Sequence, residues 1–235
     1  MRVVVTRPEP SAGRTADRLV NLGHQPILLP LTRALRRPDI AETALKKPHA
    51  ALALTSAEAA RVLSSVDCLS PYLDEVLYAV GEATARAAEE AGFRKIRKGP
   101  GTGSELARLV LADAPIFDAP LLYLAGRPRS ASFEKGLRTA KMPLAVAEIY
   151  EMTPLPYDRE SVRDAVLDPP VDAVLLYSRE NARLFFELMA PFADALSNAQ
   201  IICLSDNVAA AVPPEFHRKI KIAAHADENG LLALL

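Results

Sequence analysis

The chain has 235 residues, 50% of them hydrophobic and 24% charged, with a formal net charge of −1. That is the composition of an ordinary folded globular protein, long enough for one large domain or two small ones. It lacks the positive surplus of a phosphate-directed nucleic-acid binder, and its apolar runs are too short and too often broken to span a bilayer, so neither nucleic acid nor membrane is expected as a partner.

The start, MRVVVTRPEP, enters a β-branched run with no export signal behind it. Cys68 and Cys203 are the only cysteines, too few for a disulfide framework, so a reducing cytoplasmic home is expected.

In chain order, VVVTRP predicts a strand followed by Arg7. GRTADRLVNLG then predicts a helix on which Ala16, Leu19, Val20 and Gly23 recur at three and four, with Gly23 as its cap. LLPLTRALRRP (28–38) reads as extended chain ending in proline. LALTSAEAARVL (52–63) runs from strand through Ser56 into a helix, and LYAVGEATARAAEEAG (77–92) does the same through Gly81 and Thr84. KIRKGPGTGSELARLVL (95–111) is a basic strand, a glycine-rich turn containing Gly103 and Ser104, and a helix. LLYLAGRP (121–128) is a strand followed by Arg127, and AVAEIYEMTPLP (145–156) is a second extended crossing that carries Tyr150. LLYSRENARLFF (175–186), with Ser178, IICLSDNVAAAV (201–212), with Asn207, and KIKIAAHADENGLLALL (219–235) complete the alternation.

Four of these phrases occur twice: a serine unit, a glycine unit, a Lys-Ile unit and an Arg-Pro unit. The middle of the chain holds all four in that order. The remainder has the Arg-Pro unit first and the other three last, as if one domain had been inserted into its sibling. The expected fold is therefore α/β, with two doubly wound, flavodoxin-like parallel-sheet domains. The outer domain takes 1–34 and 154–235, the inner one 36–150, and 28–38 and 145–156 form a two-stranded hinge. A cleft between hinged α/β domains would be the ligand site.

Several chemistries have no signature here. His24, His49, His217 and His225 are scattered, so no metal site is expected, and GPGTGSE lacks the third glycine of a dinucleotide fingerprint. No cofactor is expected. Ser56, Thr84, Ser104, Ser178 and Asn207 each stand where a helix begins after a strand, with Gly81 and Gly103 allowing close approach. Such positions are ordinary N-caps and also anion sites, and a cleft ringed with them suits a ligand with several carboxylates. Arg7 and Arg127 read either as solvated loop residues or as carboxylate clamps. Tyr150 reads either as a packed amphipathic aromatic or as a phenol that donates into the cleft.

VVVTRP, ALTSAEAAR, AVGEATA, LYLAGR, IYEMTP and LLYSREN, in that order, resemble the uroporphyrinogen-III synthase family. The resemblance spans nearly the whole chain. It implies cofactor-free cyclisation of hydroxymethylbilane: loss of the terminal hydroxyl as water, attack of the azafulvene on ring D, and closure through a spiro-pyrrolenine with ring D inverted. It also implies that Tyr150 assists the leaving hydroxyl or orients ring D, and that Ser56, Thr84 and Ser178 bind substrate. One departure stands out: where the inner turn has Thr84, the outer turn has Val208 beside Asn207. A monomer with transient contact to hydroxymethylbilane synthase is expected. The alternative is a non-catalytic hinged binder of a polyanionic small molecule.

Overall fold

The computed structural model describes residues 1–113 and 117–235. Its strands are β1 (Arg2–Val5), β2 (Gln25–Leu28), β3 (Thr32–Arg36), β4 (Ala51–Leu54), β5 (Val76–Ala79), β6 (Lys95–Lys98), β7 (Leu121–Arg127), β8 (Leu144–Pro154), β9 (Ala173–Leu176), β10 (Gln200–Cys203) and β11 (Ile220–Ile222). The helices are α1 (Ser11–Asn21), α2 (Pro38–Leu45), α3 (Ala57–Leu63), α4 (Glu82–Glu90), α5 (Gly103–Asp113), α6 (Ser132–Thr139), α7 (Arg159–Val166), α8 (Arg179–Met189), α9 (Asp206–Ala209) and α10 (Glu228–Leu232).

The chain divides into two compact units, Met1–Arg33 with Thr153–Leu235 (unit 1) and Ala34–Met152 (unit 2). Unit 1 holds a sheet of order β11-β10-β9-β1-β2, and the other sheet runs β3-β8-β7-β4-β5-β6. The ladders β1·β2, β1·β9, β9·β10 and β10·β11 are all parallel. So are β4·β5, β4·β7, β5·β6 and β7·β8. The expected α/β class with two mostly parallel sheets is what the chain adopts.

Both sheets have the same spatial plan. Corresponding repeats occupy corresponding strands, with β9 and β4 from the serine units at the centre and β1 and β7 from the Arg-Pro units beside them. Numbered along the chain within its unit, the unit 1 order is the flavodoxin-like 2-1-3-4-5, while unit 2, β3 aside, reads 3-2-1-4-5. The second is a circular permutation of the first, because the Arg-Pro repeat leads in one unit and trails in the other.

The central strands are buried on both faces, as parallel strands covered by helices must be. All four residues of β4 and of β9 are buried. In unit 1, Val4, Val174 and Leu176 pack on one face with Phe185, while Val3, Val5 and Leu175 pack on the other with Leu19. In unit 2 one face gathers Leu52, Leu54, Leu122, Leu124 and Tyr150, and the opposite face gathers Ala53, Tyr78, Tyr123 and Phe133.

Helix α1 corrects the expected stripe. Its buried residues are Ala12, Thr15 and Leu19, whereas Val20 is 59% exposed. Gly23 does close it: at φ +77° it donates to Val20 O while His24 donates to Leu19 O, the paired bonds of a Schellman cap.

Candidate functional site

In a doubly wound sheet, ligands collect beyond the carboxyl ends of the strands where the winding reverses. In unit 2 that point lies between β4 and β7. Thr55 and Ser56 follow β4, and Gly126 and Arg127 end β7. Ser56 caps α3, its Oγ accepting from the Ala59 N–H at 3.2 Å. The same Oγ lies 2.7 Å from the Tyr150 hydroxyl.

Tyr150 reaches this point because β8 carries an irregularity. Pairing with β7 runs Ala125 to Glu148 and then Gly126 to Tyr150, so Ile149 is inserted. The bulge turns Ile149 and Tyr150 both into the core, at 0% and 8% exposure. Gly126, cross-strand from Tyr150, has no side chain, and a Cβ there would overlap the Cζ and hydroxyl of the phenol. The ring therefore occupies space that only glycine leaves open.

Burial pushes the Tyr150 phenol above its ordinary value; the Ser56 hydrogen bond and the Arg61 charge pull the other way without prevailing. The group is thus a neutral hydrogen-bond donor over the physiological range. Beside it, Glu58 accepts from Arg36 at 2.6 Å and from Arg61 at 2.9 Å, leaving an excess of positive charge next to the serine turn. A second phenol, Tyr123, hydrogen-bonds Thr55 Oγ1 at 2.6 Å from the other sheet face. Burial raises it too.

The glycine turn and the glycine-rich run come together. A Cβ on Gly81 would meet the Gly101 Cα at 3.2 Å, so these segments pack backbone against backbone. Thr84, three residues into the turn, is 4% exposed. The cap of α5 is Thr102, whose Oγ1 accepts from the Glu105 N–H at 3.3 Å, while Ser104, two positions later, is exposed. Gly103 abuts α6, where an added Cβ would lie 2.6 Å from Ser132 Oγ. Arg127 is exposed and makes no ion pair among the described residues. Its neighbour Arg129 is tied to Glu134 at 2.7 Å and Glu148 at 2.5 Å.

Unit 1 repeats the plan with different side chains. Ser178 caps α8, accepting from the Asn181 N–H at 3.1 Å and donating to Asn181 Oδ1 at 2.6 Å. Asn181 in turn donates to Thr6 O at 3.1 Å. Thr6 stands where unit 2 has Gly126, is fully buried, and donates its hydroxyl to Leu175 O at 2.7 Å. Unit 1 therefore has no vacancy for a phenol like that of Tyr150. Arg7, just beyond, pairs with Glu228 at 2.8 Å and lies 4.4 Å over the Tyr177 ring.

In the outer glycine-type turn, Ser205 takes the cap position of Gly81, so Val208 takes that of Thr84 and Asn207 that of Ala83. Val208 is 2% exposed, and Asn207, like Ala83, faces outward. One helical position separates them by about 100°. Asn207 therefore does not stand in for the threonine hydroxyl.

Sequence reasoning singles out Ser56 and Tyr150, whose hydroxyls the structure brings within 2.7 Å, but passes over Gly126, which seats the phenol, and Thr55, Tyr123, Thr6 and Asn181. Gly126 was visible in LYLAGR as the residue that replaces Thr6 of VVVTRP. No group of three or more His, Cys, Asp or Glu side chains able to hold a metal occurs among the described residues. No helix among them is long and apolar enough to cross a membrane.

A family model described as uroporphyrinogen-III synthase HemD matches residues 13–233. No curated protein matches. Among solved structures, a uroporphyrinogen-III synthetase from Helicobacter pylori is similar, with TM-score 0.66 and 18% identity over 99% of this chain and 96% of that one. A mutant uroporphyrinogen III synthase from Thermus thermophilus gives TM-score 0.55 and 20% identity over 100% and 97%. At these identities the likeness is one of fold.

Proposed function

The chain belongs to the uroporphyrinogen-III synthase family, and from that premise we propose that the carboxyl ends of β4 and β7, beside the β8 bulge, are where it handles the reacting end of its substrate. The enzyme is a cyclising hydro-lyase: it converts hydroxymethylbilane to uroporphyrinogen III with loss of water and inversion of ring D. The family match does not favour a non-catalytic binder.

The observation that carries the site assignment is the 2.7 Å hydrogen bond between Ser56 Oγ and the Tyr150 hydroxyl, at the point where the unit 2 winding reverses. Departure of the bilane hydroxyl as water needs a hydrogen-bond donor at that oxygen. A buried phenol kept neutral is such a donor, and Ser56 fixes its orientation. Because an unassisted bilane readily closes to the wrong isomer, holding the chain in shape matters more than strong acid catalysis. Ser56, Gly81, Thr84, Gly103, Ser104 and Arg127 are the proposed contacts in unit 2, with Arg7, Ser178 and Asn207 in unit 1. The peptide N–H groups and guanidinium groups among them match the substrate's carboxylates.

The same reading makes the chain a cytoplasmic monomer that meets hydroxymethylbilane synthase transiently, since its substrate is consumed by spontaneous closure when left in solution. The test is a coupled assay: porphobilinogen and hydroxymethylbilane synthase, with and without this protein, followed by separation of the oxidised uroporphyrin isomers. The expected result is a shift from isomer I to isomer III. Isomer I dominating in the presence of folded protein would overturn the reading.

A further inference from the structure

Glu228 opens α10 and sits among cations. Arg7 Nη1 reaches its Oε1 and Arg18 Nη1 its Oε2, each at 2.8 Å. Thr15 donates its hydroxyl to the same Oε1, and Arg18 also holds Asn229 Oδ1 at 2.6 Å. Two guanidinium groups and a hydroxyl thus surround one carboxylate, the donor set that recognises a carboxylate of any origin. The side chains of Arg7, Arg18 and Glu228 are 26%, 40% and 24% exposed, so solvent and solutes reach the cluster.

Two further observations separate this cluster from a plain structural ion pair. The Tyr177 hydroxyl, beside Thr15 and Arg7 at the end of β9, is buried and makes no well-aligned hydrogen bond among the described residues. A buried phenol left unpaired is costly, and marks a place where a further acceptor belongs. The sibling unit, moreover, lacks the acid. Helix α10 begins at Glu228 after its cap Asp227, and α5 begins at Gly103 after its cap Thr102. In unit 2 the matching position has no side chain, and Arg127, the counterpart of Arg7, is left exposed. The shared fold does not require a carboxylate there.

We propose that Arg7, Arg18 and Thr15 form a subsite for a carboxylate side chain of the tetrapyrrole substrate, and that Glu228 fills it in the ligand-free protein and is displaced on binding. Nearby, the Tyr177 hydroxyl offers the incoming carboxylate a donor that Glu228 leaves unused. The inference rests on the proposed function for the identity of the ligand, but not for the exchange itself. A resident competitor lowers apparent affinity by the fraction of molecules in which it holds the site.

The test compares wild type with Glu228→Gln and Arg18→Gln, using two readouts. One is KM for enzymatically generated hydroxymethylbilane, and the other is the affinity for uroporphyrin III, read by fluorescence titration without turnover. Glu228→Gln is expected to lower KM and tighten porphyrin binding by about threefold to tenfold. Arg18→Gln is expected to weaken both, and the double variant to lose the gain. Glu187→Gln, which removes an exposed acid on α8, controls for net charge. Equal tightening in that control, or unchanged or weaker binding in Glu228→Gln that still melts cooperatively, overturns the proposal. Should Glu228→Gln fail to fold, Arg18→Gln decides: unchanged porphyrin affinity overturns the subsite. A wild type that makes no isomer III removes the functional reading instead, while the porphyrin titration still judges the exchange.

Discussion

The Cβ that Gly126 lacks would fall within the phenol of Tyr150. In unit 1 the same strand position is Thr6, whose own hydroxyl is used up on Leu175 O. The two units share a strand plan, yet only unit 2 makes room at its reversal point for a phenol, and it does so by deleting one side chain and inserting one residue, Ile149, into the facing strand. The sibling folds thus differ at this point: one keeps a filled, satisfied strand end, and the other a phenol seated against Ser56.

Gly126→Ala tests that seating directly. The new methyl must push the ring away from Ser56, since backbone on both sides is locked in the β7·β8 ladder. Overpacking of this kind costs about 1–3 kcal/mol, which in a chain of this size lowers Tm by several degrees. Turnover to isomer III is expected to fall as far as in Tyr150→Phe. Activity at the wild-type level would mean that the phenol position is immaterial to catalysis.

Tyr150→Phe keeps the ring and removes one oxygen. Ser56 Oγ retains the Ala59 N–H as a partner, so the stability loss should be that of one hydrogen bond, about 0.5–1.5 kcal/mol. Stopped assays should show a drop in kcat and a larger share of isomer I, with Tm nearly held. The reverse pattern, a large fall in Tm with turnover intact, assigns Tyr150 to packing alone.

Much of this is legible in the sequence alone. Short apolar runs alternating with helical spacing gave the parallel α/β class, and the four duplicated phrases landed on equivalent strands because each is a complete strand-turn-helix unit whose local signals suffice. The stripe on α1 misled because Thr15 is polar: it can be buried only since Glu228 satisfies its hydroxyl, and that partner lies 213 residues away. Val20, apolar by type, reads as inward although it faces solvent. The bulge at Ile149 was also hidden, since no single residue type announces an inserted residue in an alternating strand. Side-chain pairings between distant segments, such as Arg7 with Glu228 or Ser56 with Tyr150, leave no local trace at either end.

Val208→Thr examines the outer turn. Val208 is packed in the unit 1 core, and giving it a hydroxyl with no evident partner should destabilise by about 1–3 kcal/mol. Asn207→Ala, on the exposed side, should leave Tm unchanged. If the turn binds substrate through its peptide N–H groups, KM moves little in either variant. A marked fall in KM for Val208→Thr would instead show that the missing threonine hydroxyl is a substrate contact that this chain has given up.

The pH dependence of stability carries a sign for each buried group. Tyr150 has its folded value raised above 10.0, so its contribution is complete below that value and is lost as pH rises through the folded one. Ultraviolet difference titration should therefore show no ionisation of this tyrosine at pH values where free tyrosine ionises. Glu228 behaves oppositely. Burial works to raise it, but Thr15, Arg7 and Arg18 together outweigh that and hold it below 4.5. Its contribution is full above that value and disappears as pH falls through the folded one. The stability difference between wild type and Glu228→Gln, measured by denaturant melts across the acid range, should then be constant from neutrality down to about pH 5 and shrink below it. A difference that stays constant through the acid range would mean that the carboxylate charge is not what Arg7 and Arg18 hold.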